Sequence, residues 1–160
     1  MKARLFAFAL ATLAGAGAAA AGNVTVELLA HKLVETTDPA GLPVTERQQL
    51  DSVLPGDRLV YSIALANAEE EPATGLALAL PVPGALRLDP ASFVGSTDFA
   101  VLFATHDAPE DFAVFATLTV PTEDGGTRPA LPDDLAAVRV EIAELAPAGE
   151  ATVEYEATLR

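Results

Sequence analysis

Apolar and polar residues alternate with period two along most of this chain. From Leu59 onward, Leu59, Tyr61, Ile63 and Leu65 share one face, and Val60, Ser62, Ala64 and Ala66 share the other. The stretch "GLALALP" sets Leu76, Leu78 and Leu80 against Ala77 and Ala79, and Val138, Val140 and Ile142 later alternate with Arg139 and Glu141. The last segment places Val153, Tyr155, Ala157 and Leu159 opposite Thr152, Glu154, Glu156 and Thr158. Successive side chains of a strand point to opposite sides of a sheet, so each run predicts a half-buried strand with one wet face. "NVTVELLAHKLVET" predicts a first strand, while "FAVLFAT" and "FAVFATLTV" predict a hairpin around the acidic loop "HDAPED". "PDDLAAV", opening on Pro132 and Asp133, predicts one short helical turn before a strand beginning near Val138.

Pro, Gly, Asp and Asn gather between these runs, in "DPAGLP", "LPGD", "PVPG", "EDGG" and "APAGE". Such residues fix or free the backbone where a chain turns. Short strands with regular turn signals predict an all-β antiparallel sandwich or small barrel. No internal repeat or long linker divides the chain. Glu154 and Glu156, facing outward just before Arg160, predict that the last strand protects a sheet edge, because charge on an exposed strand discourages pairing with other molecules.

The first residues depart from this pattern. Lys2 and Arg4 precede "LFAFALATLAGAGAAAA", an apolar run that ends in small residues. A charged start, a short apolar middle and an Ala-x-Ala ending predict a secretory signal peptide over residues 1–21. Ala19 and Ala21 place cleavage before Gly22, with a second option at Ala16 and Ala18. The run is short of the roughly 20 bulky residues that span a bilayer, and no later apolar run reaches that length. The expected mature chain, residues 22–160, is one domain, exported to the periplasm or the medium. It has no cysteine and is long enough to bury a core without disulfides.

Charge narrows the partners. The full chain carries 9 basic and 23 acidic side chains. Without Lys2 and Arg4, 7 basic residues face 23 acidic ones, a net charge of −16. Nucleic acids and anionic lipids reward clustered Lys and Arg, so this surface excludes nucleic acid as a partner.

Candidate chemistry is sparse. The chain has no Gly-rich phosphate loop, no Gly-x-Ser-x-Gly turn and no histidine spacing suited to zinc. A hydrolase would have to use His106 with Ser52, Ser62, Ser92 or Ser96, and nothing local marks any of these serines as activated. His31 reads as an ordinary strand residue. Calcium takes six to eight oxygens from loop carboxylates and carbonyls, so Asp107, Glu110 and Asp111 of "HDAPED" and Glu123 and Asp124 of "EDGG" are the candidate ligands. The competing expectation is that these loops, with Glu69–Glu71 and Asp133–Asp134, are solvated and keep the protein dispersed. With aromatics at 6% and no Trp, there is little material for a sugar-stacking groove.

The stretch "LPGDRLVYSIALAN" has a readable logic. Pro55 presets φ and Gly56 can take positive φ, which suits the centre of a type II turn. Asp57 can then accept backbone amides, Tyr61 packs into the core, and Asn67 can bond the backbone where the strand ends. Together with Pro81-Val82-Pro83 after the next strand, the stretch from Leu54 to about Pro90 resembles the bacterial conserved-repeat family called domain of unknown function 11. The resemblance implies an Ig-like β-sandwich of about seven to nine strands in secreted or cell-envelope proteins. It implies no catalytic residues, with Pro55, Gly56, Asp57, Tyr61, Asn67, Pro81 and Pro83 as a structural motif. The implied role is a structural or interaction module with an envelope or extracellular protein partner.

Overall fold

The computed structural model describes residues 24–160, so the expected signal peptide and its cleavage sites lie outside the described residues. The alternation becomes strands β1 (Val24–Thr37), β2 (Pro43–Gln48), β3 (Arg58–Asn67), β4 (Ala73–Pro81), β5 (Leu86–Leu88) and β6 (Val94–Gly95). The second half supplies β7 (Ala100–Thr105), β8 (Ala108–Ala113), β9 (Thr119–Pro121), β10 (Thr127–Pro129), β11 (Leu135–Leu145) and β12 (Glu150–Leu159). Eight of these have six or more residues, within the expected seven to nine, and β5, β6, β9 and β10 are segments of two or three. They form an antiparallel β-sandwich. One sheet runs β2-β1-β3-β12-β5, with β6 also on β12; the other runs β4-β11-β7-β8, and β9 and β10 make a separate hairpin.

The inward faces are those the alternation assigned. Leu59, Tyr61, Ile63 and Leu65 of β3 meet Val153, Tyr155 and Ala157 of β12, and Val138, Val140 and Ile142 of β11 close over them in one buried cluster. Ile63 and Val153 have no exposure at all. An aromatic run crosses this core. Tyr61 stacks on Tyr155 with centroids 5.1 Å apart, and Tyr155 stacks on Phe93 at 5.0 Å. Phe93 then meets the edge of Phe103 on β7, and Phe103 meets Phe115. Phe93 belongs to the loop between β5 and β6, so this loop ties one sheet to the other.

Both ends of β3 are fixed by its own polar residues. The Asp57 N–H donates to Leu54 O at 3.0 Å, and Gly56 has φ +93°, which gives the expected turn. Asn67 is buried at the other end. Its Nδ2 donates to Glu71 O at 2.8 Å and Ala146 O at 3.0 Å, and its Oδ1 accepts the Glu69 N–H. One side chain thus holds the β3–β4 loop against the β11–β12 turn. Pro81 ends β4 on the outer margin of its sheet, where a missing N–H is tolerated. Pro83 O accepts the Leu86 N–H in the turn that follows.

Five expectations are corrected. β12 lies between β3 and β5 and is not an edge strand; Glu154 and Glu156 face outward in mid-sheet and are paired there. "HDAPED" is mostly strand, since β8 begins at Ala108 and only His106 and Asp107 turn; "FAVFATLTV" is not the second strand of that hairpin, since β8 ends at Ala113 and Phe115–Thr117 form a 3₁₀ turn before β9. β2, with every residue exposed, had no alternation of burial to reveal it. The turn at Pro132–Asp134 is a single 3₁₀ turn, as expected, but β11 starts at Leu135, ahead of Val138.

Replacing the buried Asn67 with Ala removes the side-chain donor to Glu71 O and Ala146 O and the acceptor of the Glu69 N–H, so a loss of about 1–3 kcal/mol in urea unfolding is expected. Phe93→Ala, which cuts the aromatic run at its middle, is expected to lose about 2–3 kcal/mol. A loss under about 0.5 kcal/mol for either change would contradict these roles.

Candidate functional site

The outer face of the β1–β3–β12 sheet carries a charge network that the sequence does not announce. Register sets Ser62 beside Glu154, and Arg47 reaches in from β2. Arg47 binds Glu154 through both guanidinium nitrogens, at 2.6 and 2.7 Å, and the Ser62 hydroxyl donates to Glu154 at 2.7 Å. Arg58 binds Glu156 at 2.7 Å. Arg47, Arg58, Glu154 and Glu156, with Val60 and Val94, border a shallow groove of about 350 Å³. Arg47 and then Ser62 pull the Glu154 carboxyl down to about 2. His31 lies on the same face, and its buried Nδ1 has no partner among the described residues.

The serines proposed for catalysis have other tasks. Ser62 serves Glu154, the Ser92 hydroxyl bonds Asp89 O and accepts the Glu156 N–H, and Ser96 Oγ accepts the Thr152 N–H. Ser52 lies in the loop before β3. His106 lies at the far end of the other sheet, where its N–H donates to Asp134 O. Among the described residues no serine hydroxyl is bonded to His106.

The candidate calcium ligands are spread out. Asp107 sits in the β7–β8 turn, Glu110 and Asp111 lie along β8, and Glu123 and Asp124 are in the β9–β10 turn. Asp124 accepts the Thr122 hydroxyl and the Gly126 N–H, and the Thr122 bond, its main cause, lowers its pKa. Among the described residues no three His, Cys, Asp or Glu come together as a metal would need. Glu110 and Asp111 instead border a shallow groove of about 500 Å³, beside which Arg139 lies 3.9 Å over the Phe112 ring.

The turn before β3 carries an ion pair as well as its backbone bonds. Asp57 Oδ2 accepts the Leu54 N–H and also pairs with Lys32 Nζ, each at 2.7 Å, and Lys32 is the main cause of its lowered pKa. Tyr61 is raised by burial alone, and Tyr155 chiefly by burial. Pro81 and Pro83 remain at the surface.

The more distinctive surface belongs to β1. β2 covers it only from Lys32 to Thr37, and no described strand lies beside residues 24–31 on that side. Val26, Leu28 and Leu29 are there 44–47% exposed. Leu42, Val44, Leu50, Val53 and Leu54 add exposed apolar groups along and beyond β2. Nothing in β1's own residues sets it apart from other strands; its lack of a neighbour depends on sheet order. No helix among the described residues is long and apolar enough to cross a membrane. No protein-family model matches the chain, and no curated protein is similar to it in sequence.

The Glu154 carboxyl is held below its ordinary value of 4.5, so its stabilisation is complete above about pH 5 and is lost as the pH falls through about 2. Arg47→Ala is expected to lower stability near pH 6 by no more than about 1 kcal/mol, the pair being partly exposed. It should also flatten the acid limb between about pH 5 and 2.5, as read by urea unfolding across that range. An unchanged acid limb would contradict the assignment.

Proposed function

We propose that this chain is an exported, non-enzymatic structural or protein-interaction module of the bacterial cell envelope. The observation that carries the reading is a rigid sandwich whose inward faces close on each other while one strand edge keeps apolar side chains in water. Loops and edges on such a scaffold are where binding is built. The charged start and Ala-rich run of residues 1–21 support export, and the likeness of Leu54–Pro90 to the conserved-repeat family supports the envelope setting. A net charge of −14 keeps such a module dispersed.

Expression of the full chain in a Gram-negative host, followed by fractionation and N-terminal sequencing, tests the reading. The expected product lies outside the cytoplasm and begins at Gly22. An uncleaved chain retained in the cytoplasm would overturn it.

A further inference from the structure

The hydrogen-bond phase of the first sheet shows which backbone groups of β1 are open. The Asn67 N–H donates to Gly149 O, and the Leu159 N–H donates to Asp57 O. Odd-numbered residues of β3 therefore bond toward β12, and even-numbered ones toward β1. Through the β1–β3 register, Thr25, Glu27, Leu29 and His31 bond β3. Val26, Leu28 and Ala30 turn their N–H and C=O groups the other way, to the side with no described strand. An unpaired row of this kind is a template for one more strand.

The side chains beside this row indicate what fits. Val26 and Leu28, 47% and 44% exposed, stand on the core-facing side, and Glu27 stands on the outer side. The nearby cations are already neutralised: Lys32 by Asp57, Arg47 by Glu154 and Arg58 by Glu156. Glu27 on β1 and Glu46 on β2 have no ion pair among the described residues. The edge is thus apolar on the core-facing side and carries Glu27 next to the exposed Leu29 on the outer side, on a chain of net charge −14.

We infer that the β1 edge from Val24 to His31 accepts an extended segment of a partner protein as an added strand. The segment has apolar side chains beside Val26 and Leu28 and Lys or Arg beside Glu27. This rests on the interaction-module reading above and names its partner's chemistry. A second copy of this chain fits poorly. A symmetric pair centred on Leu28 sets the two Glu27 side chains diagonally across from each other, and two chains of −14 repel. A basic strand is drawn by the same field. Main-chain bonds supply the affinity in this mode, and alternate side chains supply selectivity.

The probe is a capped ten-residue peptide alternating Val and Lys, added to the purified protein and followed by residue-resolved amide exchange. It is expected to slow exchange at Val26, Leu28 and Ala30 by about tenfold or more, while a Val/Glu peptide leaves them unchanged. Leu28→Pro removes an N–H that points away from β3, so it should abolish this protection with the other strands intact. Glu27→Lys makes no demand on the backbone and should weaken binding about tenfold. Equal binding of the Val/Glu peptide, or no protection by the Val/Lys peptide, would overturn the inference. So would protection of these amides by raised protein concentration alone, which would assign the edge to a second copy. Loss of peptide binding with export intact removes this inference only; retention in the cytoplasm removes the reading beneath it.

Discussion

Tyr61 and Tyr155 face each other across β3 and β12 with their rings stacked 5.1 Å apart, and the rest of the sandwich is arranged around that pair. Stacked aromatics contribute about 0.5–1.5 kcal/mol beyond the area they bury. The larger effect is positional. With Phe93 laid on Tyr155 and Phe103 set against Phe93, the rings fix how the β7-bearing sheet sits over the first one. Asp57 and Asn67 then hold the two ends of β3, one through Lys32 and the turn, the other through the loop carbonyls. A strand fixed at its ends and centre has one register, and a slip by one residue would turn every core side chain to water.

That rigidity has a consequence on the outside. β12 is sheltered between β3 and β5, so its outward glutamates meet arginines from β2 and β3. Those ion pairs use the cations nearest β1 and leave Glu27 without one. The sheet therefore ends, along residues 24–31, in a row of open main-chain groups flanked by apolar and acidic side chains. Natural sheets usually blunt such edges with charge, proline or a covering segment. Here Glu27 is the one acidic residue along the open run, and its neighbours Val26, Leu28 and Leu29 are apolar.

How much of this was legible in the sequence follows from range. Alternation is local, so the inward faces of β3, β11 and β12 could be read directly, as could the Pro55-Gly56-Asp57 turn and the turn at Pro132. Sheet order is set by contacts between distant segments. Glu154 and Glu156 looked like edge guards because nothing within the last strand says that β5 and β6 pair beside it. β2 escaped notice because "PVTERQ" buries no side chain, and the start of β8 looked like a loop because Pro109, Glu110 and Asp111 lie on an outer strand that tolerates them. The acidic clusters read as candidate ligands lie on separate turns and strands. The β1 surface was invisible for the same reason: a strand's own residues do not reveal a missing neighbour.

Native-state hydrogen exchange on the free protein, resolved by residue, tests the central claim most directly. Thr25, Glu27 and Leu29 bond β3 and should exchange slowly, whereas Val26, Leu28 and Ala30 should exchange close to the rate of unstructured chain. Ile63 and Val153, at the closed centre, should be slowest of all. Equal and strong protection along the whole of residues 25–30 would mean that the edge is already covered, and the account of an open strand would be wrong.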